Sequence, residues 1–130
     1  MADADDATDL LTLTRDGDVW VLTMTKADNR FNPRWAAAFS VALDRVEASP
    51  GPAALVITSS SPKFFSNGLD LDNLTVDELP VFVSGTFQPL VARLLEFPVP
   101  TVAALPGHAF AGGFMPVSYT HLTLPTKRIV

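Results

Sequence analysis

The 130-residue sequence contains no cysteine and only two histidines, His108 and His121. The lack of cysteine excludes thiolate nucleophiles, disulfides and thiolate zinc sites, and two histidines are too few for a histidine-rich metal site. No apolar run approaches the roughly 18 to 20 residues of a membrane span. The acidic residues 1–9 carry neither the basic nor the apolar part of a secretory signal. We therefore expect a protein of a reducing, intracellular setting that begins with a disordered acidic leader over 1–9.

Positive charge is also scarce, since 9 Lys and Arg face 14 Asp and Glu and give a net charge of −5. This balance argues against nucleic acid binding by bulk electrostatics. A phosphorylated ligand has to be held by local charge, for which Lys26, Arg30 and Lys63 are the candidates. The alternative for each is an ordinary solvated side chain. The composition, 48% hydrophobic and 18% charged, is typical of one soluble globular domain.

The first part of the chain predicts a hairpin followed by a helix. Residues 10–14 and 19–25 alternate in the strand sense around 15–18, which indicates a β-hairpin with an Asp-Gly turn. Asn32 and Pro33 form a typical helix start, an N-cap residue followed by proline at the first helical position. The predicted helix stops at 49–52, and its apolar face repeats at helical spacing. That face consists of Trp35, Phe39, Ala42, Leu43 and Val46.

Two short apolar runs, 53–58 and 101–105, predict buried parallel strands. Between them, 71–79 is loosely patterned and indicates helical turns. A second long helix then follows, with Gly85 and Pro89 making its early part irregular. Its predicted apolar face consists of Phe82, Phe87, Leu90, Val91, Leu94 and Leu95. The alternation of strands and helices predicts an α/β fold with right-handed β-α-β crossovers.

Two glycine-containing segments, 63–70 and 107–114, each follow a short apolar segment of strand character. Both bring glycine to a place where backbone can approach something closely, and side-chain chemistry around them is thin. This arrangement predicts a site made of main-chain N–H groups. The alternative is two ordinary strand-to-turn connections.

Together the segments spell K-x-F-S-x-G-x-D followed by P-x-P-T-V-A-A-x-x-G-H-A-x-A-G-G. This pattern, over about residues 10–115, resembles the crotonase (enoyl-CoA hydratase/isomerase) superfamily, and most of all its plant peroxisomal-type Δ3,Δ2-enoyl-CoA isomerases. The resemblance implies the N-terminal part of a crotonase-like ββα spiral. It also implies an acyl-CoA substrate, no metal or redox cofactor, no nucleic acid or membrane partner, and a homotrimer as the full-length protein. Peroxisomal localisation follows from the same resemblance, with the cytosol as the alternative.

The resemblance assigns an oxyanion hole to the backbone N–H groups of Asn67 and Gly112, the latter at the start of an expected helix. Asp70 is expected to fix the first loop by accepting hydrogen bonds, with a helix N-cap as the alternative. His108 matches a position that is structural in the family. The substrate-binding residues implied are Arg30, Phe31, Ser66, Asn67, Gly68, Leu69, Asp70 and Gly112.

Met115 is the informative departure from the family pattern, because hydratases carry a glutamate at the matching place. A thioether neither accepts a proton nor orients water, so the usual hydration mechanism is disfavoured. The resemblance thus favours isomerisation of unsaturated acyl-CoA in fatty-acid β-oxidation. The family's general base comes from a later segment that this chain lacks, so we expect the chain alone to be inactive. The alternatives are another crotonase member, hydratase or thioester hydrolase, and a non-catalytic acyl-CoA-binding relative.

The crotonase-like part is predicted to cover 10–116, because the chain changes character there. Pro116 is unsuited to an expected helix, and the threonine-rich run after it has neither helical nor strand period. The run V-S-Y-T-H-L-T-L-P-T resembles a translation product of the transposase-type adapter used in sequencing libraries. We therefore expect 117–130 to be a non-native tail. The alternative is a genuine, divergent C-terminus.

Overall fold

A computed structural model describes residues 9–125. Strands β1 (Leu11–Asp16) and β2 (Val19–Met24) form the predicted antiparallel hairpin. Asp16 pairs with Val19, so the two loop residues are Gly17 and Asp18 and not the predicted Asp-Gly pair. Gly17 has a φ of 61°, and glycine at the first loop position suits a type II′ turn. The expected turn was one residue out because strand alternation does not set the pairing register.

Three further strands, β3 (Ala54–Ser59), β5 (Thr101–Leu105) and β7 (Leu122–Pro125), join the hairpin in the main sheet. The five strands lie in the order β1-β2-β3-β5-β7. β3 pairs in parallel with β2 and β5, and β5 pairs in parallel with β7. The two predicted buried parallel strands and the mixed α/β architecture are confirmed. A separate two-stranded sheet joins β4 (Phe64–Ser66) to β6 (His108–Ala109).

Helix α1 (Pro33–Glu47) connects β2 to β3 as predicted. Asn32 caps it, with its Oδ1 atom accepting the Trp35 backbone N–H at 2.9 Å, and Pro33 occupies the first helical position. Every residue of the predicted apolar face is buried. An N-cap, a fitting proline and one apolar stripe therefore specify this helix locally.

The second helical region, between β4 and β5, is broken as expected. Helix α2 (Glu78–Phe82) passes through a π-helical turn (Val83–Phe87) into α3 (Gln88–Leu95). Pro89 explains the wide turn, because it lacks an N–H and its ring displaces the carbonyl of Gly85 four residues earlier. The predicted apolar face is buried except for Leu95, which is 60% exposed. Leu94 takes the inward position, and the next helical residue points about 100° away.

Helix α4 (Phe114–Tyr119) contains Pro116, contrary to the expectation that this proline is unsuited to a helix. Pro116 is the third helical residue, where a backbone N–H has no intrahelical acceptor and its loss costs little. The chain then forms β7 instead of an irregular run. Residues 1–8 of the predicted leader and 126–130 of the predicted tail lie outside the described residues. Within 9–125, no helix is long and apolar enough to cross a membrane.

Candidate active site

The two glycine-containing segments meet beside the small sheet. Because β4 and β6 are parallel, the chain leaves both strands at the same edge. The Phe110 N–H donates to the Ser66 carbonyl at 3.0 Å, which ties the second segment to the first. A β-carbon built on Gly68 would lie 2.9 Å from the Gly112 nitrogen. The backbones of the two loops are therefore in direct contact.

Glycine is required on both sides of this contact. Gly68 has a φ of 87°, which L-residues with side chains rarely adopt. A β-carbon on Gly113 would collide with the carbonyl group of Ser66. The contact is thus made by main chain against main chain, as a site of backbone N–H groups requires.

The structure changes the identity of the first candidate donor. The Asn67 N–H, predicted to face a ligand, donates to the Asp28 carbonyl at 2.9 Å. In the following residue, Gly68, the carbonyl accepts the Phe31 N–H at 2.8 Å. Because a trans peptide is planar, the Leu69 N–H points opposite to this carbonyl and away from Phe31.

Leu69 therefore takes the place of Asn67 as the first candidate donor. A β-carbon built on Gly112 would lie 3.6 Å from the Leu69 nitrogen, so this nitrogen lies beside the second loop. Among residues 9–125, no hydrogen-bond acceptor is found for the Leu69 N–H. The sequence carried no signal for this shift, because a backbone N–H is independent of residue type.

The second candidate donor, Gly112, lies in one 3₁₀ turn (Ala111–Gly113) that leads into α4. The Gly113 N–H is bound by the Phe110 carbonyl at 2.7 Å. The Gly112 nitrogen is the closest atom to the position of a Gly68 β-carbon and so faces the first loop. Helix α4 has six residues, so its dipole is a minor contribution beside the N–H group itself.

Phe31 and Ser66 support the first loop from inside the protein. The Phe31 ring is fully buried, with its centroid 4.1 Å from that of Trp35, so the prediction that it lines a ligand groove is wrong for its side chain. Its carbonyl accepts the Asp70 N–H at 2.9 Å. The buried Ser66 hydroxyl accepts the Gly68 N–H at 3.0 Å. From sequence alone, an aromatic residue next to a site can be predicted either to line the ligand groove or to pack in the core. The burial of its side chain decides between the two.

Asp70 anchors the loop through its carboxylate, as expected. It is 7% exposed and accepts hydrogen bonds from the side-chain amides of Asn32 at 3.0 Å and Asn73 at 2.9 Å. Burial raises the pKa of Asp70, but these hydrogen bonds and the charge of Arg30 outweigh it and hold the pKa below 3.8. Residues 71–73 form a turn, so the alternative of a helix N-cap does not apply.

The three candidate phosphate-binding cations are accessible. Arg30 lies 3.7 Å from the Asp28 carboxylate with 37% of its side chain exposed, and Lys26 is exposed. The Lys63 ammonium lies 5.2 Å from the centre of the Phe64 ring. Contact of any of them with a phosphate stays a prediction.

The remaining side chains offer little acid–base chemistry. His108 is exposed and stacks on Phe110 with ring centroids 5.1 Å apart. Met115 packs against the core. In the part of the chain that the structure describes, no three His, Asp or Glu side chains are grouped to hold a metal ion. The arrangement is suited to stabilising negative charge on a ligand oxygen through main-chain donors.

The family model described as "Enoyl-CoA hydratase/isomerase" matches residues 14–124. Among known proteins, the chain is 36% identical over 113 residues to Arabidopsis thaliana enoyl-CoA delta isomerase 3, covering 82% of this chain and 47% of that protein. It is also 36% identical over 115 residues to the Arabidopsis peroxisomal enoyl-CoA delta isomerase 2, covering 82% and 48%. The chain thus spans about half the length of these curated relatives.

A solved enoyl-CoA hydratase/isomerase family protein from Pseudomonas syringae superposes on the structure with a TM-score of 0.83. The two chains are 28% identical, and the match covers 92% of this chain and 51% of the other. The likeness therefore extends to nearly the whole chain, and the fold is a partial crotonase domain.

Proposed function

Because the chain belongs to the enoyl-CoA hydratase/isomerase family, we propose that it forms the oxyanion-hole part of an enoyl-CoA isomerase. The reaction moves a double bond of an unsaturated acyl-CoA from the 3 to the 2 position during fatty-acid β-oxidation. The observation that carries the proposal is the facing pair of backbone nitrogens, Leu69 and Gly112, in the contact between the two loops. Similarity to two Arabidopsis enoyl-CoA delta isomerases supports this choice of reaction.

The chemistry needs the two donors where negative charge develops. Removal of a proton from carbon 2 of a 3-enoyl thioester produces a dienolate whose charge lies partly on the thioester oxygen. Return of the proton to carbon 4 leaves the conjugated 2-enoyl thioester. Two preorganised N–H groups on that oxygen stabilise the dienolate, and each is worth about 3 to 4 kcal/mol.

The side chains favour proton transfer over addition of water. Met115 stands where family hydratases are expected to carry glutamate, and a thioether neither activates nor orients water. We propose that the general base comes from a segment that follows the second loop. Hydration or thioester hydrolysis by another crotonase mechanism is the second candidate, favoured by the breadth of the matching family model.

The substrate supplies coenzyme A, and the proposal requires no metal or redox cofactor. The accessible Lys26, Arg30 and Lys63 side chains are the proposed contacts for its phosphates. A homotrimer and peroxisomal localisation are part of the proposal for the full-length protein, with the cytosol as the other location. Two of the Arabidopsis relatives, enoyl-CoA delta isomerases 1 and 2, are themselves named as peroxisomal.

The test incubates the full-length protein encoded by the source transcript, here called the full-length transcript product, with 3-hexenoyl-CoA and, separately, with 2-hexenoyl-CoA. We expect 3-hexenoyl-CoA to be converted to 2-hexenoyl-CoA, followed by the absorbance of the conjugated thioester, and no hydroxyacyl-CoA from either substrate. Formation of 3-hydroxyhexanoyl-CoA or free CoA contradicts the isomerase assignment. Binding of hexanoyl-CoA in D₂O without exchange of its α-protons indicates instead a non-catalytic acyl-CoA-binding protein.

A further inference from the structure

Asn29 is the most constrained polar residue near the candidate site. It is 2% exposed and is the one non-glycine residue within 9–125 with a positive φ, 48°. Its Nδ2 atom donates to the Ser59 hydroxyl at 2.7 Å and to the Phe65 carbonyl at 3.0 Å. Its Oδ1 atom accepts the Lys26 N–H at 2.9 Å. The side chain therefore joins the loop that follows β2, the end of β3 and strand β4.

The backbone carbonyls before and after the Asn29 side chain both accept hydrogen bonds from the first loop. The Asp28 carbonyl accepts the Asn67 N–H at 2.9 Å, and the Asn29 carbonyl accepts the Ser66 hydroxyl at 2.7 Å. Successive carbonyls of an extended strand point in opposite directions, so one loop can meet both only if the chain turns between them. The left-handed conformation of Asn29 provides that turn, and asparagine tolerates it better than most residues.

The hydrogen bonds continue from Asn29 to the first donor. Ser66 gives its hydroxyl proton to the Asn29 carbonyl, which leaves its oxygen lone pairs for the Gly68 N–H at 3.0 Å. Gly68 in turn carries the carbonyl whose direction fixes the Leu69 N–H. Asn29, Ser66 and Gly68 are buried, so a break between them leaves a polar atom without water.

We infer that Asn29 is the positioning residue of the first oxyanion donor. It acts through Ser66 and Gly68 on the Leu69 N–H and does not touch the substrate. The expected effect on catalysis rests on the proposed function. The expected effect on the structure of the first loop rests on the hydrogen-bond series alone. The two effects are measured separately.

The main variant is Asn29→Asp in the full-length transcript product, because aspartate keeps the shape and the acceptor but removes both Nδ2 donor bonds. We expect hydrogen exchange of the Gly68 amide to become at least about tenfold faster. For 3-hexenoyl-CoA we expect kcat to fall about 100-fold while KM stays within about twofold, because the donor is misplaced and not removed from a binding contact. If the buried charge unfolds the protein, Asn29→Gly is measured instead, since it keeps the positive φ and removes the side chain.

The control is Val46→Ala, a fully buried position in α1 that destabilises the core without touching the loops. An unchanged Gly68 exchange rate in the folded Asn29 variant overturns the inference, as does an equal change in Val46→Ala. A wild-type protein without isomerase turnover overturns the proposed function, while the exchange rates still decide the role of Asn29. Loss of kcat and a matching rise in KM in Asn29→Asp also contradicts positioning, because it indicates loss of substrate binding.

Discussion

Gly68 is the position at which the contact between the two loops can be tested most sharply. The substitution Gly68→Ala introduces a methyl group 2.9 Å from the Gly112 nitrogen and 3.2 Å from both the Gly113 nitrogen and the Phe110 carbonyl oxygen. All three atoms belong to the backbone, so no side chain can rotate away. The loops have to separate, and the two candidate donors separate with them.

Two costs add at this position. A left-handed φ costs an alanine about 1–2 kcal/mol relative to glycine. Crowding of a packed site costs about 1–3 kcal/mol more. We therefore expect Gly68→Ala to lower the free energy of unfolding by about 2–5 kcal/mol. Gly51→Ala is the matched control, because Gly51 has a φ of 79° and no atom within 4 Å of the added carbon.

The assay is equilibrium urea unfolding of both variants of the full-length transcript product, followed by isomerase kinetics. Gly68→Ala is expected to be less stable than Gly51→Ala by about 1–3 kcal/mol, the crowding contribution alone. It is also expected to lose about 100-fold in kcat, since an ångström of displacement has that effect on a positioned group. Equal stabilities and equal kcat values for the two variants would refute the close approach of the loops.

Three further predictions concern the loop anchor, the core and the end of the chain. Because the folded-state pKa of Asp70 lies below 3.8, Asp70 stabilises the protein above that pH and loses this effect as pH falls through the folded-state pKa. Asp70→Asn should lower the free energy of unfolding by about 1–3 kcal/mol at neutral pH. Urea unfolding should show this difference vanish in acid, whereas a difference that stays constant with pH contradicts the role of Asp70 as an anchor. Phe31→Ala should cost about 3–5 kcal/mol in the same measurement with an unchanged KM, and a raised KM at full stability would return Phe31 to the ligand groove. Sequencing the source transcript across Met115 to Val117 should show a reading frame that departs from 117–130, and native codons throughout that range would contradict the predicted tail.

Local pattern was sufficient for most of the fold. Helix α1 follows from Asn32, Pro33 and an apolar stripe, each of which acts within a few residues. Strands β3 and β5 follow from apolar runs too short for helices. Leu95 was misplaced because the stripe of α3 does not show which of two neighbouring leucines faces inward, and only tertiary packing decides that.

The glycines predicted where the candidate site lies, but the sequence did not predict which backbone N–H groups form it. The pairing of the two loops is visible in sequence because close backbone approach demands glycine at Gly68 and Gly113. The choice between Asn67 and Leu69 depends on the orientation of a peptide plane, which tertiary hydrogen bonds set and side chains do not report. The structural role of Asn29 was not predicted for a similar reason, since one asparagine in a polar loop does not reveal a buried side chain with a left-handed backbone.

The proposed role of the Leu69 and Gly112 N–H groups is to polarise a thioester carbonyl. The most direct measurement is the infrared stretching frequency of hexanoyl-CoA labelled with ¹³C at its carbonyl, free in water and bound to the full-length transcript product. Leu69→Pro removes the first donor N–H, which makes no hydrogen bond to another described residue. We expect a lower frequency on binding to the wild type and loss of most of that shift in Leu69→Pro. An equal shift in a folded Leu69→Pro protein that still binds hexanoyl-CoA would contradict it.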